Sequence, residues 1–243
     1  MNSRIILITG ANGSLGRAIA QAFLDEAPAN CVWLGVHRHH EHADEFATAN
    51  DGRCRVVTLD VTQPVAWQQA AQEILAAHQR LDVLVNNAGT HDDAFLAMMK
   101  LDSWRDVLSV NLDGVFHGCQ AVLPTMISQR SGRIINIASL SALLAPAGQT
   151  NYAAAKAGVL ALTQSLAKEV ARIGITVNAI CPGYVDTEAL GQMGDDDRRR
   201  ALERIPMRRF GRPEEVAAAV RFLACADAGY LTGSALKIDG GIF

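Results

Sequence analysis

A surplus of cations, paired cysteines and long apolar runs are all missing from this chain of 243 residues. Lys plus Arg number 22 against 25 Asp plus Glu, a net charge of -3, so nothing draws the chain to nucleic acid or an anionic membrane. The five cysteines (Cys31, Cys54, Cys119, Cys181, Cys225) are widely spaced and form no C-x-x-C pair, which argues against a zinc ribbon or a redox dithiol. They read as reduced, mostly buried thiols. No apolar run approaches the roughly 20 residues that a membrane helix needs. The opening "MNSRIILITG" enters a strand pattern at once, without the charged region, apolar run and cleavage site of a secretory signal. A cytoplasmic protein with neither nucleic-acid nor membrane partner is expected. Repeats and low-complexity tracts are lacking too, so the 49% apolar composition is read as one core in a single domain, 1–243.

What is present alternates. Short β-branched runs stand at 4–9, 31–36, 54–59, 82–86, 133–138 and 175–180, with a last one at 235–239. Helical patterns lie between them at 14–26, 64–79, 102–130 in one or two pieces, 151–172 and 213–226. Such alternation predicts an α/β fold: a doubly wound, Rossmann-type parallel sheet of about seven strands with helices on both faces. Several strands are apolar at nearly every position, as strands covered on both sides must be. In such sheets ligands sit at the carboxyl ends of the strands, so the residues just after each strand are the candidates for chemistry.

After the first strand comes "TGANGSLG", with Gly10, Gly13 and Gly16 between strand and helix. Backbone there can approach a diphosphate and the helix N-terminus can face its charge, although close glycines also mark ordinary tight turns. After the second strand, "VHRHHEH" puts His37 and Arg38 where an acid would hold the ribose hydroxyls of NAD. A guanidinium there favours the additional phosphate of NADP, the alternative being a solvated basic loop. Its four histidines come with no carboxylate or cysteine pattern that would fix a metal geometry, so no metal site is expected.

"NYAAAKAG" sets Tyr152 and Lys156 one helical turn apart on one face. Reduction of a ketone leaves an alkoxide that needs a proton, and a tyrosine supplies it readily only when its phenolate is stabilised, as by a nearby ammonium. Ser139 ends the fifth strand, where its hydroxyl can hold a carbonyl oxygen. Taken singly, an exposed helix pair and a capping serine would account for these residues.

Taken with "NNAG", "GRIINIAS", "GITVNAICPG" and "IPMRRFGRPEEVAAAVRFL", these motifs resemble the short-chain dehydrogenase/reductase family over essentially the whole chain, closest to its β-ketoacyl-carrier reductases. Thr9, Gly10 and Gly16 match the family's T-G-x-x-x-G-x-G, while Ser14 replaces its middle glycine and Gly13 matches a longer branch. The resemblance implies a catalytic set of Asn111, Ser139, Tyr152 and Lys156: Tyr152 as acid, Lys156 on the nicotinamide ribose, Ser139 on the substrate and Asn111 anchoring a water. It implies a cofactor, NADPH, bordered by Gly10, Asn12, Gly13, Ser14, Leu15 and Gly16. His37, Arg38, Asp60 and Val61 lie toward its adenosine, and Asn87, Ala88 and Gly89 along its middle. Tyr152, Lys156, Pro182, Gly183, Val185 and Thr187 lie toward its nicotinamide.

The resemblance further implies a β-ketoacyl thioester substrate, an acyl carrier protein docked on Arg130 and Arg172, a substrate lid at 184–210 and a homotetramer. Arg172 stands one position before the family arginine, where this chain has Ile173. Mixed charge in "DDDRRR" reads as a mobile, solvated helix. Two other readings stay open: a related oxidoreductase acting on a CoA ester, sugar or small ketone, and a dinucleotide-binding sensor without catalysis.

Overall fold

The computed structural model describes residues 3–50, 52–191 and 193–243. Met1, Asn2 and Asp51, within the expected domain, and Gln192, within the expected lid, lie outside the described residues. Strands β1 (Ile5–Thr9), β2 (Cys31–Val36), β3 (Cys54–Thr58), β4 (Val83–Asn86), β5 (Gly132–Ile137), β6 (Ile175–Pro182) and β7 (Ala235–Ile238) form one sheet. Its order is β3-β2-β1-β4-β5-β6-β7 and every pairing is parallel. The chain winds outward from β1 to β3, then crosses to β4 on the other side of β1. A crevice therefore opens between the carboxyl ends of β1 and β4, where loops leave in opposite directions.

Helices α1 (Ser14–Glu26), α2 (Glu41–Ala49), α3 (Pro64–His78), α4 (Leu101–Leu108), α5 (Gly114–Gln129), α6 (Ser141–Leu144), α7 (Thr150–Val170), α8 (Glu188–Gly191), α9 (Asp195–Arg204) and α10 (Pro213–Ala224) complete the fold. Alternate side chains of the strands feed two cores. Ile5 and Leu7 pack with Trp67 of α3, Val115 of α5 and Val159 of α7. Ile6 and Ile8 pack on the other face with Ile19 and Phe23 of α1 and Val220 of α10.

The expected strands and long helices are present, with differences at three places. The 102–130 pattern is two helices joined by a π-turn, Ser109–Asp113. A helix, α2, stands at 41–49, where the sequence carried no marked apolar stripe; of its residues only Ala43 is buried. The segment 184–210 is more than a solvated helix: Leu190, Ala201, Ile205 and Phe210 bury one another in a small core of their own. A bridge between Val185 and Gly211 closes its base. All five cysteines are free, four of them buried and Cys225 half-buried.

Candidate active site

The glycine turn is built for close backbone approach. Gly10 adopts φ +64, and a Cβ on it would stand 2.8 Å from the Ala88 Cα. A Cβ on Gly16 would stand 2.6 Å from the Ala11 Cα, so no side chain fits there. The turn is fastened to the segment after β4: the amides of Asn87 and Ala88 both donate to Thr9 Oγ1 at 3.0 Å. Asn87 Nδ2 returns a bond to the Thr9 carbonyl at 2.9 Å. Asn12 Oδ1 accepts from the Ala43 amide, which ties α2 to the same turn.

An anion already sits at the start of α1. Glu188 Oε2 accepts from the Ser14 amide at 3.2 Å and its Oε1 from Arg17 at 2.8 Å. Burial alone would push this carboxyl up, but hydrogen bonds from Ser14 and Arg17 hold it down at about 2. The Ser14 hydroxyl is buried beside that carboxylate. A turn that excludes side chains and a place that takes a carboxylate together fit a dinucleotide diphosphate.

The turn opens into a cavity of about 880 Å³ lined also by His37, Arg38, Asp60 and Gly89. Asp60 Oδ1 accepts from the amide and hydroxyl of Thr62, and its Oδ2 lies 3.3 Å from His37. Burial opposes its charge, yet those bonds, with His37 and Arg38 nearby, keep its carboxyl below the usual range. Arg38 lines the adenosine end of this cavity, where its guanidinium can meet an additional phosphate. Val61 turns away: its side chain lies against the position of a Gly114 Cβ and its carbonyl takes the Trp67 indole N–H. Among the described residues no cluster of His, Cys, Asp and Glu could hold a metal.

A second cavity, of about 460 Å³, shares Leu15, Asn87, Gly89 and Thr187 with the first and continues it past the ends of β5 and β6. Ser139, Tyr152 and Lys156 line it, with Pro182, Gly183 and Val185. Lys156 is 3% exposed and donates to the Ile137 carbonyl at 2.8 Å. Burial lowers its ammonium to about 8. Its Nζ lies 5.7 Å from the centre of the Tyr152 ring. Burial raises the Tyr152 phenol, the facing Ser139 hydroxyl pulls it down, and Asp93 raises it again.

Asn111 lines neither cavity but stands just behind. The π-turn turns its amide inward, where Nδ2 donates to the carbonyls of Thr90 and Val107 at 2.7 and 2.8 Å. Its Oδ1 is buried and has no partner among the described residues. A Cβ on Gly89 would lie 2.9 Å from that oxygen and 3.6 Å from Lys156 Nζ, so the amide oxygen and the buried ammonium both border Gly89. Such wider turns recur at functional sites.

The structure thus gathers the expected catalytic and cofactor residues at one edge of the sheet, except that Val61 faces the core. Arg130 and Arg172 lie elsewhere. They precede β5 and β6 and sit exposed at the amino edge, opposite Ser139. Arg17, Glu188, Asp93, Ser141 and Gln149 also line or enter the site without having been singled out in the sequence; Arg17 pairs with Glu188 and Asp93 with Gln149, partners distant along the chain.

Residues 10–242 match the family model described as enoyl-(acyl carrier protein) reductase. The chain is 39% identical over 242 residues to a 3-oxoacyl-[acyl-carrier-protein] reductase of Thermotoga maritima, covering 100% of this chain and 98% of that protein. To the protein of that name in Escherichia coli it is 38% identical over 240 residues, covering 99% and 97%. To that of Vibrio harveyi it is 39% identical over 243 residues, covering 100% and 98%.

Proposed function

This chain belongs to the short-chain dehydrogenase/reductase family, and from that premise we propose that it reduces a β-ketoacyl thioester, borne on an acyl carrier protein, to the 3-hydroxyacyl thioester with NADPH. The observation that carries this reading is one wall of the cleft, where a protonated phenol, a hydroxyl and a buried ammonium converge: Tyr152, Ser139 and Lys156.

Gly10, Gly13, Ser14, Leu15 and Gly16 hold the diphosphate, His37 and Arg38 the additional phosphate, and Lys156 and Thr187 the nicotinamide half. When bound, the reduced cofactor supplies a hydride to the ketone carbon. Ser139 donates a hydrogen bond to the ketone oxygen, and Tyr152 gives that oxygen its proton. The phenolate left behind is stabilised by the Lys156 ammonium and regains a proton through the lysine from a water held by the Asn111 side-chain oxygen. The segment 184–210 closes over the thioester arm. Arg130 and Arg172 offer cations to the acidic carrier, and four copies assemble. The proposed reaction is a cytoplasmic one. No described helix is long and apolar enough to cross a membrane.

The test follows NADPH absorbance with a short β-ketoacyl thioester on carrier protein and on CoA, with the enoyl thioester alongside. Oxidation of NADPH with the ketone, its loss in Tyr152→Phe and a preference for the carrier form are expected. Turnover of the enoyl thioester alone would replace this reading with carbon–carbon double-bond reduction. Undiminished turnover in Tyr152→Phe would remove Tyr152 as the acid.

A further inference from the structure

The wall of the smaller cavity carries a line of hydrogen bonds that the reaction as written does not use. Gln149 Nε2 donates to Asp93 Oδ2 at 2.7 Å. At the other end of the same amide, Gln149 Oε1 accepts from the Ser141 hydroxyl at 2.8 Å. The Ser141 amide in turn donates to Ser139 Oγ at 3.1 Å. Asp93, Ser139, Ser141, Gln149 and Tyr152 all line this one cavity.

The direction of every bond follows from the end groups. An ionised carboxylate only accepts, so Asp93 holds the NH₂ of Gln149 toward itself and the amide oxygen toward Ser141. That oxygen accepts the hydrogen bond of the Ser141 hydroxyl. Ser139, whose oxygen already accepts from the Ser141 amide, keeps its own proton free for the cavity. The loop that bears Asp93 is pinned in place: the Ala94 amide donates to the Gly148 carbonyl at 2.9 Å, and Asn151 Nδ2 to the Asp92 carbonyl at 3.0 Å.

We propose that Asp93 and Gln149 are positioning residues of this site, the carboxylate orienting the Gln149 amide and the amide, through Ser141, orienting the hydroxyl that Ser139 presents to the substrate oxygen. The inference rests on the reductase reading above. Asp93 has a second effect, through charge: with burial it holds the Tyr152 phenol in its protonated form. The other titratable groups around that phenol are Lys156 from α7, His91 from the loop of Asp93, Tyr184 from the segment after β6, and Cys181 beside Lys156. Lys156, at about 8, is neutral before the phenol titrates, so removing Asp93 is read against few other charges.

Two measurements test this. Phenol absorbance is titrated in the full-length protein, with Tyr152→Phe as the blank that separates Tyr152 from the other tyrosines; no substrate is needed. Asp93→Asn keeps an acceptor for Gln149 but loses the charge, and the Tyr152 midpoint is expected to move to lower pH. In turnover, Asp93→Ala and Gln149→Ala are expected to lower kcat about tenfold or more, the scale on which misplaced catalytic groups fail, with KM for NADPH unchanged. Asp93→Asn recovers part of that kcat.

An unmoved midpoint in Asp93→Asn, or a kcat within twofold of wild type in Gln149→Ala, overturns the proposal. If the wild-type protein reduces no β-ketoacyl thioester, the reductase reading fails by itself and the phenol titration still decides whether Asp93 acts on Tyr152.

Discussion

Among the described residues Lys156 gives one hydrogen bond, to the Ile137 carbonyl, from a site that water barely reaches, so its charge rests on few partners. Burial brings its ammonium down to about 8. A lysine whose folded value lies below its unfolded one costs the fold most where both forms are charged, below pH 8. That cost is relieved as pH rises toward the free-lysine value near 10.4. Activity runs the other way, because only the ammonium stabilises the Tyr152 phenolate. The value of kcat/KM for NADPH, which reports the free enzyme, is therefore expected to be level near neutrality and to fall with a midpoint near 8. Lys156→Arg, whose guanidinium stays charged, should lose that limb whatever its plateau; a limb unchanged in this variant would assign it to another group. Tyr152 and Lys156 were legible in the sequence because one turn of helix puts them together. The partners Asp93 and Gln149, 56 residues apart, and Ser14 and Glu188, 174 apart, were not, since no local rule joins residues that only the sheet brings near.

At the level of elements, the strands were readable because a parallel sheet covered on both faces demands nearly continuous apolar runs, and "RIILIT" or "ITVNAI" carries that demand openly. The π-turn was not, because its wider spacing leaves the apolar pattern of α4 and α5 almost intact while turning Asn111 inward. Helix α2 carries too little buried surface to leave a stripe. The segment 184–210 read as solvated because "DDDRRR" dominates it. Its i,i+3 pairs Asp196 with Arg199 and Asp197 with Arg200 do face water, while Ala201 and Ile205 fill the small core beneath. What couples this segment to the cofactor is Glu188, whose carboxylate holds the Ser14 amide at the start of α1. A diphosphate taking that amide has to displace Glu188 or share the place with a like charge. Glu188→Gln keeps the shape and drops the charge, so it is expected to tighten NADPH several-fold, measured by the fluorescence of bound NADPH. Weaker binding in Glu188→Gln would mean instead that the Arg17–Glu188 pair shapes the site for the cofactor.

Across the whole molecule the sheet has a polarity that sets where a carrier can dock. Ser139 leaves the carboxyl end of β5, whereas Arg130 precedes its amino end, and the six residues of β5 span about 20 Å. Arg172 stands at the same amino edge, before β6, and the Arg130 carbonyl lies against Gly174. A carrier held by these two arginines therefore sits at the far edge from the cleft of its own chain. If they dock the carrier, the thioester arm enters the cleft of a neighbouring copy, and the docking reading requires the oligomer. Two variants separate the cases. Arg130→Glu is expected to lose activity on the carrier-borne thioester far more than on the CoA form, and Tyr152→Phe to lose both. Co-assembled from the two variants, mixed oligomers hold subunits with intact arginines beside subunits with intact chemistry. Carrier-dependent activity above the sum of the two parents is the expected result, with sedimentation confirming the assembly. Activity equal to that sum, or a protein that sediments as a monomer at micromolar concentration, would move the docking surface to the carboxyl edge, next to the segment that Glu188 anchors.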